Sequence, residues 1–189
     1  MIGLLLWLAA AAAQPSFDCA RARGAIEPAI CASEELAALD REEARLYRLA
    51  LAGAPTRQQS LVARQRRFLD ERDECGGSYE PLGECVRNAY LGDIADLRRL
   101  SAAGRDRDGP SSGPLHFRCD GDYPDIYVTL FALSPRQAYV SVPSVNEGQP
   151  MVAGNAGALY VGRYATGWTY DPAARRVRID ARICLEATP

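Results

Sequence analysis

The sequence predicts an α+β protein in two modules, a disulfide-stapled all-α helical unit followed by a small antiparallel β unit. Three observations carry this. Six cysteines fall in three separated pairs, Cys19 with Cys31, Cys75 with Cys85, and Cys119 with Cys184, and an even count in an exported chain reads as a disulfide framework. Apolar residues recur at helical spacing up to residue 100 and at period two after residue 115.

The export context comes from the first residues. Gly3 to Ala13 is apolar and uncharged and ends in the small residues Ala9 to Ala13, the pattern of a signal peptide cleaved by an A-x-A rule. Residues 1–13 are therefore expected to be a signal peptide, with Gln14 as the mature N-terminus. The run is too short to span a bilayer comfortably, and no cysteine at the cleavage point invites a lipid anchor. The expected location is periplasmic or secreted, with no stable membrane anchor after cleavage. The net charge of −2 argues against nucleic acid as a partner. All 22 basic residues are arginine.

Residues 14–100 read as three helices. Ser33 is a good N-cap, with Glu34 and Glu35 in the first turn where the helix dipole favours acids. Leu36, Leu39, Leu46, Tyr47 and Ala50 then follow at helical spacing, and Gly53, Ala54 and Pro55 end the run. Thr56 with Gln59 has the form of a capping box opening a second helix, whose face is Leu61, Val62, Gln65, Phe68 and Leu69. Gly76 and Gly77 end it. A third helix starts near Pro81 and carries Leu82, Val86, Ala89, Tyr90, Ile94 and Leu97. Six cysteines admit many pairings; nearest-neighbour pairing is the expectation here, because each of the first two pairs flanks a turn. A closed loop of about a dozen residues is worth roughly 3 kcal/mol in the chain-entropy account.

This half resembles the N-terminal domain of the lysozyme inhibitor LprI family. The resemblance lies in Ser16-Phe17-Asp18-Cys19-Ala20, Glu27, Ala29-Ile30-Cys31, Leu36-Ala37-Ala38-Leu39-Asp40, Tyr47, Gln65-Arg66 and Phe68-Leu69. It continues through Glu71-Arg72-Asp73-Glu74-Cys75, Cys85, Tyr90 and Ile94-Ala95-Asp96-Leu97. It covers most of residues 16–100 and implies a compact disulfide-bonded helical fold.

Residues 101–114, SAAGRDRDGPSSGP, are rich in Gly, Ser and Pro with no apolar residue larger than alanine, and read as a linker. Beyond it, Ile126, Val128 and Leu130 alternate with Tyr127, Thr129 and Phe131. Ala138, Val140 and Val142 alternate with Tyr139 and Ser141. Val177, Ile179, Ala181 and Ile183 alternate with Arg176, Arg178, Asp180 and Arg182. The pattern predicts a meander over 115–189 with one buried face. Asp171-Pro172 marks a hairpin turn, and a Cys119–Cys184 bridge would tie the ends of the sheet.

Phe117-Arg118-Cys119-Asp120, Gly157-Ala158-Leu159-Tyr160, Trp168 and Cys184 look like the membrane-bound or periplasmic inhibitors of c-type lysozyme. The resemblance implies a small eight-stranded antiparallel β-barrel whose loops enter the lysozyme cleft, where a serine and a lysine engage the catalytic carboxylates. This chain departs from that pattern. The serine aligns with Ala156, the lysine with Tyr170 and the following glycine with Asp171, and the chain has no lysine. Arg163 is the nearest cation, but a planar guanidinium does not replace a compact ammonium conservatively. The partner-binding residues implied are Asn155, Gly157 and Tyr160, with Arg163 or Tyr170 as the polar contact and Trp168 beside them.

His116 is the only histidine, so no Ser-His-Asp or Cys-His set can be assembled. The cysteines lack the C-x-x-C spacing of zinc or redox motifs. The acidic groups Glu34-Glu35, Glu42-Glu43, Asp70-Glu71 and Asp73-Glu74 read first as solvated helix faces, and alternatively as a field that steers a basic partner. No enzyme and no cofactor is expected. The expected partner is lysozyme, c-type by resemblance, or another cell-envelope protein. The function expected is stoichiometric occlusion of the lysozyme cleft, with a non-catalytic envelope- or peptidoglycan-binding module as the alternative.

Overall fold

The structure, a computed structural model, describes residues 14–105, 108–154 and 159–187. The signal segment 1–13 lies outside these residues. Four α-helices form the first unit: α1 (Ile26–Ala32), α2 (Glu34–Gly53), α3 (Gln58–Asp73) and α4 (Leu82–Leu100). Eight antiparallel strands follow in chain order and close into a barrel: β1 (Ser111–Cys119), β2 (Ile126–Phe131), β3 (Gln137–Val142), β4 (Glu147–Ala153), β5 (Tyr160–Gly162), β6 (Trp168–Asp171), β7 (Arg176–Ile179) and β8 (Arg182–Glu186). The eight-stranded barrel implied by the resemblance is present.

Local chemistry explains most helix ends. The Ser33 hydroxyl accepts from the Leu36 amide at 3.3 Å, capping α2. The Pro81 carbonyl accepts from the Glu84 and Cys85 amides, starting α4. The expected Thr56–Gln59 capping box does not form. Residues Pro55–Arg57 make a 3-10 turn closed by Arg57 N–H to Ala54 O at 2.9 Å, and no side chain caps α3. A fourth helix, α1, joins the three expected. It buries Ile26 and Ile30, one turn apart, and is tied down by Cys19–Cys31.

All three disulfides pair nearest neighbours: Cys19–Cys31, Cys75–Cys85 and Cys119–Cys184. The third joins directly paired residues of β1 and β8, at the seam that closes the barrel.

The helical core gathers Ile30, Leu36, Leu39, Leu46, Phe68, Tyr90, Leu91, Ile94 and Leu97. Tyr90 donates its hydroxyl to Asp40 at 2.8 Å and accepts from Arg72 at 3.3 Å, so this buried hydroxyl is satisfied. The barrel interior holds Phe117, Ile126, Val128, Ala138, Val140, Val142, Met151, Tyr160, Trp168, Tyr170, Val177 and Ile179. The two units share a boundary, with α4 packing across β1 to β4. Phe131 points out of the barrel into the helical core, and Thr129, Gln137 and Ser141 are buried on the same outer face. Strands β2 and β3 therefore bury both faces where one was expected. The first strand begins at Ser111, inside the segment read as linker, because the Ser111 side chain is drawn into the boundary.

The run at 176–183 is two strands. Asp180, at φ 53°, turns the chain between β7 and β8, and Ile179 pairs with Arg182. Pairing across this tight turn places Cys184 opposite Val177 inside the barrel and Ile183 opposite Arg178 outside it. Ala181 and Ile183 are exposed, not buried as the alternation implied.

Candidate functional site

The β4–β5 and β5–β6 connections lie at opposite ends of β5, and the β5–β6 turn lies against the start of α4. Asn155 and Gly157, with Ala156, fall outside the described residues. The ends of that loop meet through Gly154 N–H donating to Leu159 O at 2.8 Å. Leu159 and Val161 beside it are exposed apolar residues.

The aromatic residues of the expected site divide. Tyr160, Trp168 and Tyr170 are buried in the barrel core. The Tyr160 and Tyr170 ring centroids are 5.6 Å apart, and Phe117 meets Tyr170 edge-on at 5.8 Å, a geometry aromatic pairs favour. Burial first, and then the Glu186 charge, push the Tyr170 hydroxyl up to about 12. These rings pack inside the barrel along β5 and β6. Tyr164, one residue beyond Arg163, is exposed.

The turn bearing Arg163 and Tyr164 is held rigidly. Gln149, pointing into the barrel end, accepts from the Tyr164 and Ala165 amides at 3.1 and 3.0 Å. Arg163 N–H donates to Pro150 O at 3.0 Å. A Cβ on Gly162 would lie 2.7 Å from the Gln149 side-chain oxygen, so glycine lets the glutamine in.

Both exposed side chains of this turn reach the helical unit. Arg163 pairs with Glu84. Tyr164 donates its hydroxyl to Glu80 at 2.8 Å and accepts from the Asn88 amide at 2.6 Å. Its hydroxyl is pushed up to about 12, by partial burial and then by the bond to Glu80, so it stays a donor at neutral pH. Sequence reasoning missed Glu80, Glu84 and Asn88 as members of this cluster. They lie some 80 positions away in the chain, as in the 79-residue separation of Arg163 from Glu84, and they carry no local pattern that ties them to a barrel loop. A cluster of this kind can grip a protein surface through hydrogen bonds and ion pairs. No group of His, Cys, Asp and Glu able to hold a metal exists among the described residues, and no helix among them is long and apolar enough to cross a membrane.

Residues 19–104 match the model of the family described as lysozyme inhibitor LprI, so the match spans the helical unit and the barrel follows it. No curated protein and no solved structure matches the chain.

Proposed function

We propose that this chain, an LprI lysozyme inhibitor domain joined to a closed β-barrel, is a periplasmic or secreted inhibitor that blocks lysozyme stoichiometrically by occluding its glycan cleft. The observation that carries the reading is the match of residues 19–104 to the inhibitor family. The barrel supports it by holding the Arg163–Tyr164 turn on a stiff frame, where Gln149 accepts from the Tyr164 and Ala165 amides. A turn held in this way loses little entropy on binding. Asn155 and Gly157 are the proposed contacts in the β4–β5 connection, and Arg163, beyond the other end of β5, is proposed as a separate polar contact. No covalent step is involved; the bound inhibitor simply excludes substrate.

The test is a lysis assay of bacterial cells with c-type, g-type and i-type lysozymes, titrated with the oxidised protein. Loss of lysis at an equimolar end point with one class is expected. Full activity of all three classes in the presence of folded protein would overturn the reading.

A second reading is favoured by one observation. Arg163 and Tyr164 are already engaged by Glu84, Glu80 and Asn88, which leaves the polar contact committed within the chain. On that reading the protein is a non-catalytic envelope-binding module, and the barrel serves as a scaffold. Capture of an envelope protein or peptidoglycan with no effect on any lysozyme would support it over inhibition.

A further inference from the structure

A cavity of about 310 Å³ opens on the helical unit between α2 and α3, and no barrel residue lines it. Its walls follow from helical spacing. Asp40, Glu43 and Tyr47 stand three and four apart on one face of α2, and Gln65, Leu69 and Arg72 stand four and three apart on α3. Three side chains of this lining are more than nine-tenths buried: Asp40 and Glu43, each 4% exposed, and Arg72, 7% exposed. Two of them are satisfied. Asp40 accepts from the Ser16 amide and the Tyr90 hydroxyl, and Arg72 donates to Tyr90 and Asp73. Glu43 is the exception. Its Oε1 is buried and has no hydrogen-bond partner among the described residues, and the same holds for Gln65 Oε1 on the facing helix. The Gln65 side chain lies near enough to favour the Glu43 charge, yet neither of these two oxygens has a donor. A buried hydrogen bond left unmade is costly, and native interiors pair nearly all such atoms. Two buried acceptors without donors, bordering one cavity, point to a ligand that supplies hydrogen bonds.

The rest of the lining narrows the chemistry of that ligand. Burial, with Asp93 as the next cause, pushes the Glu43 carboxyl up to about 8. At neutral pH it therefore keeps a proton and can both give and take a hydrogen bond, whereas Gln65 Oε1 only takes one. The other charges of the lining balance, Glu27 and Asp40 against Arg48 and Arg72, so nothing in it selects an ion. Phe17 and Tyr47, partly buried against the helical core, and Leu69, 36% exposed, supply apolar surface. The group that suits these walls is neutral, carries hydroxyls, which give and take at once, and has an apolar face to lie on an aromatic ring. A sugar ring has all three properties.

We propose that the α2–α3 cavity is a binding site for a neutral sugar ring, whose hydroxyls reach Glu43 and Gln65 and whose C–H face lies on Phe17, Tyr47 and Leu69. The volume stands at the lower end of the roughly 300–1,000 Å³ usual for ligand sites, which suits a single ring, either a free monosaccharide or one unit of a glycan. The site lies wholly in the helical unit and does not rest on the inhibitor reading above.

The test titrates the full oxidised chain with glucose, N-acetylglucosamine and the anionic glucuronate, followed by amide NMR. Saturable shifts at Phe17, Ala44 and Leu69 are expected with the two neutral sugars, and weaker binding of glucuronate. Glu43→Gln keeps a group that gives and takes a hydrogen bond, and should bind within about twofold of the wild type. Glu43→Leu, which leaves the sugar hydroxyl without its partner, should bind about tenfold more weakly or worse. Tyr47→Ala, which removes the ring under the sugar, should also weaken binding, and it leaves Glu43 in place should the leucine variant not fold. A tetramer of N-acetylglucosamine separates the two sources. Tighter binding than the monomer at the same amides identifies a glycan, and equal binding identifies a free sugar; either outcome supports the site. No saturable shift at these amides with either neutral sugar, tighter binding of glucuronate, or unchanged affinity in folded Glu43→Leu and Tyr47→Ala would overturn it. Sugar binding here by a protein that inhibits no lysozyme would leave the site standing and overturn the inhibitor reading alone.

Discussion

Arg98 of α4 and Glu42 of α2 form an ion pair at 3.0 Å, with side chains 0% and 1% exposed. The same guanidinium donates to the carbonyls of Gly104 and Ser111 at 2.8 and 2.6 Å and to the Ser111 hydroxyl at 2.5 Å, and that hydroxyl in turn donates to Glu42. One buried arginine thus fastens the chain leaving the helical unit to the first strand of the barrel. Gly109, at φ 89°, is required beside it, because a Cβ there would overlap the Glu42 carboxylate.

Breaking this pair leaves the buried Glu42 carboxylate with Arg45, at 2.9 Å, as its remaining cation and strips Arg98's backbone partners of their donor. Arg98→Met is expected to cost about 3–5 kcal/mol of unfolding free energy in urea. Adding Glu42→Gln to that variant should recover part of the loss, because it removes a buried charge left with Arg45 alone as its cation. A double variant no more stable than Arg98→Met alone would mean that the backbone contacts of Arg98, not its charge, dominate.

Glu43 makes stability depend on pH. Burial, with Asp93 as the next cause, pushes its carboxyl up to about 8, and burial pushes Asp93 up to about 6. The unfolded chain releases the Glu43 proton near 4.5, so between that pH and about 8 the folded state holds more protons. Raising pH through this window therefore favours unfolding. The penalty is absent below the window and complete above it. Glu43→Gln should flatten the decline and raise the melting temperature most at pH 8 and above, by a stability gain on the order of a few kcal/mol. Thermal melts of the two proteins from pH 5 to 9 test this; parallel profiles would refute it.

The turn at Asp180 assigns opposite environments to two isoleucines of one alternating run. Ile179 is 4% exposed and Ile183 is 49% exposed. Ile179→Ala is expected to cost about 2–5 kcal/mol, and Ile183→Ala to stay within about 0.5 kcal/mol of the wild type. Equal losses in chemical denaturation would place both side chains in the core and contradict the hairpin.

Gly148 is exposed yet constrained by Tyr139. Gly148→Ala should destabilise by about 1–3 kcal/mol through crowding of the ring. Gly83→Ala in α4, where a Cβ meets nothing within 4 Å, should instead stabilise by up to about 1 kcal/mol through helix propensity. Differential scanning calorimetry on both variants separates packing from backbone preference.

Much of this protein was legible in order along the chain. Helical spacing located α2, α3 and α4, and period two located β2 and β3, because each periodicity records which side of a single element meets a core. The cysteine spacing indicated Cys19–Cys31 and Cys75–Cys85, since close partners around a turn meet at little entropic cost, and Cys119 with Cys184 was left as the pair that ties the ends of the sheet. The short α1 escaped notice, although Ile26 and Ile30 stand four apart behind Glu27. What the sequence left open was everything decided between distant segments. Tyr160, Trp168 and Tyr170 face inward because barrel closure selects one side of each strand, and no residue's own neighbours announce that choice. The alternation at 176–183 was faithful to period two but silent about the turn inside it. Arg163 meets Glu84, and Arg98 meets Glu42, only because α4 lies across the barrel, and the hydrophobic effect that seats it there is non-directional along the chain. Local pattern determined the elements; tertiary packing decided which polar side chains they bring together.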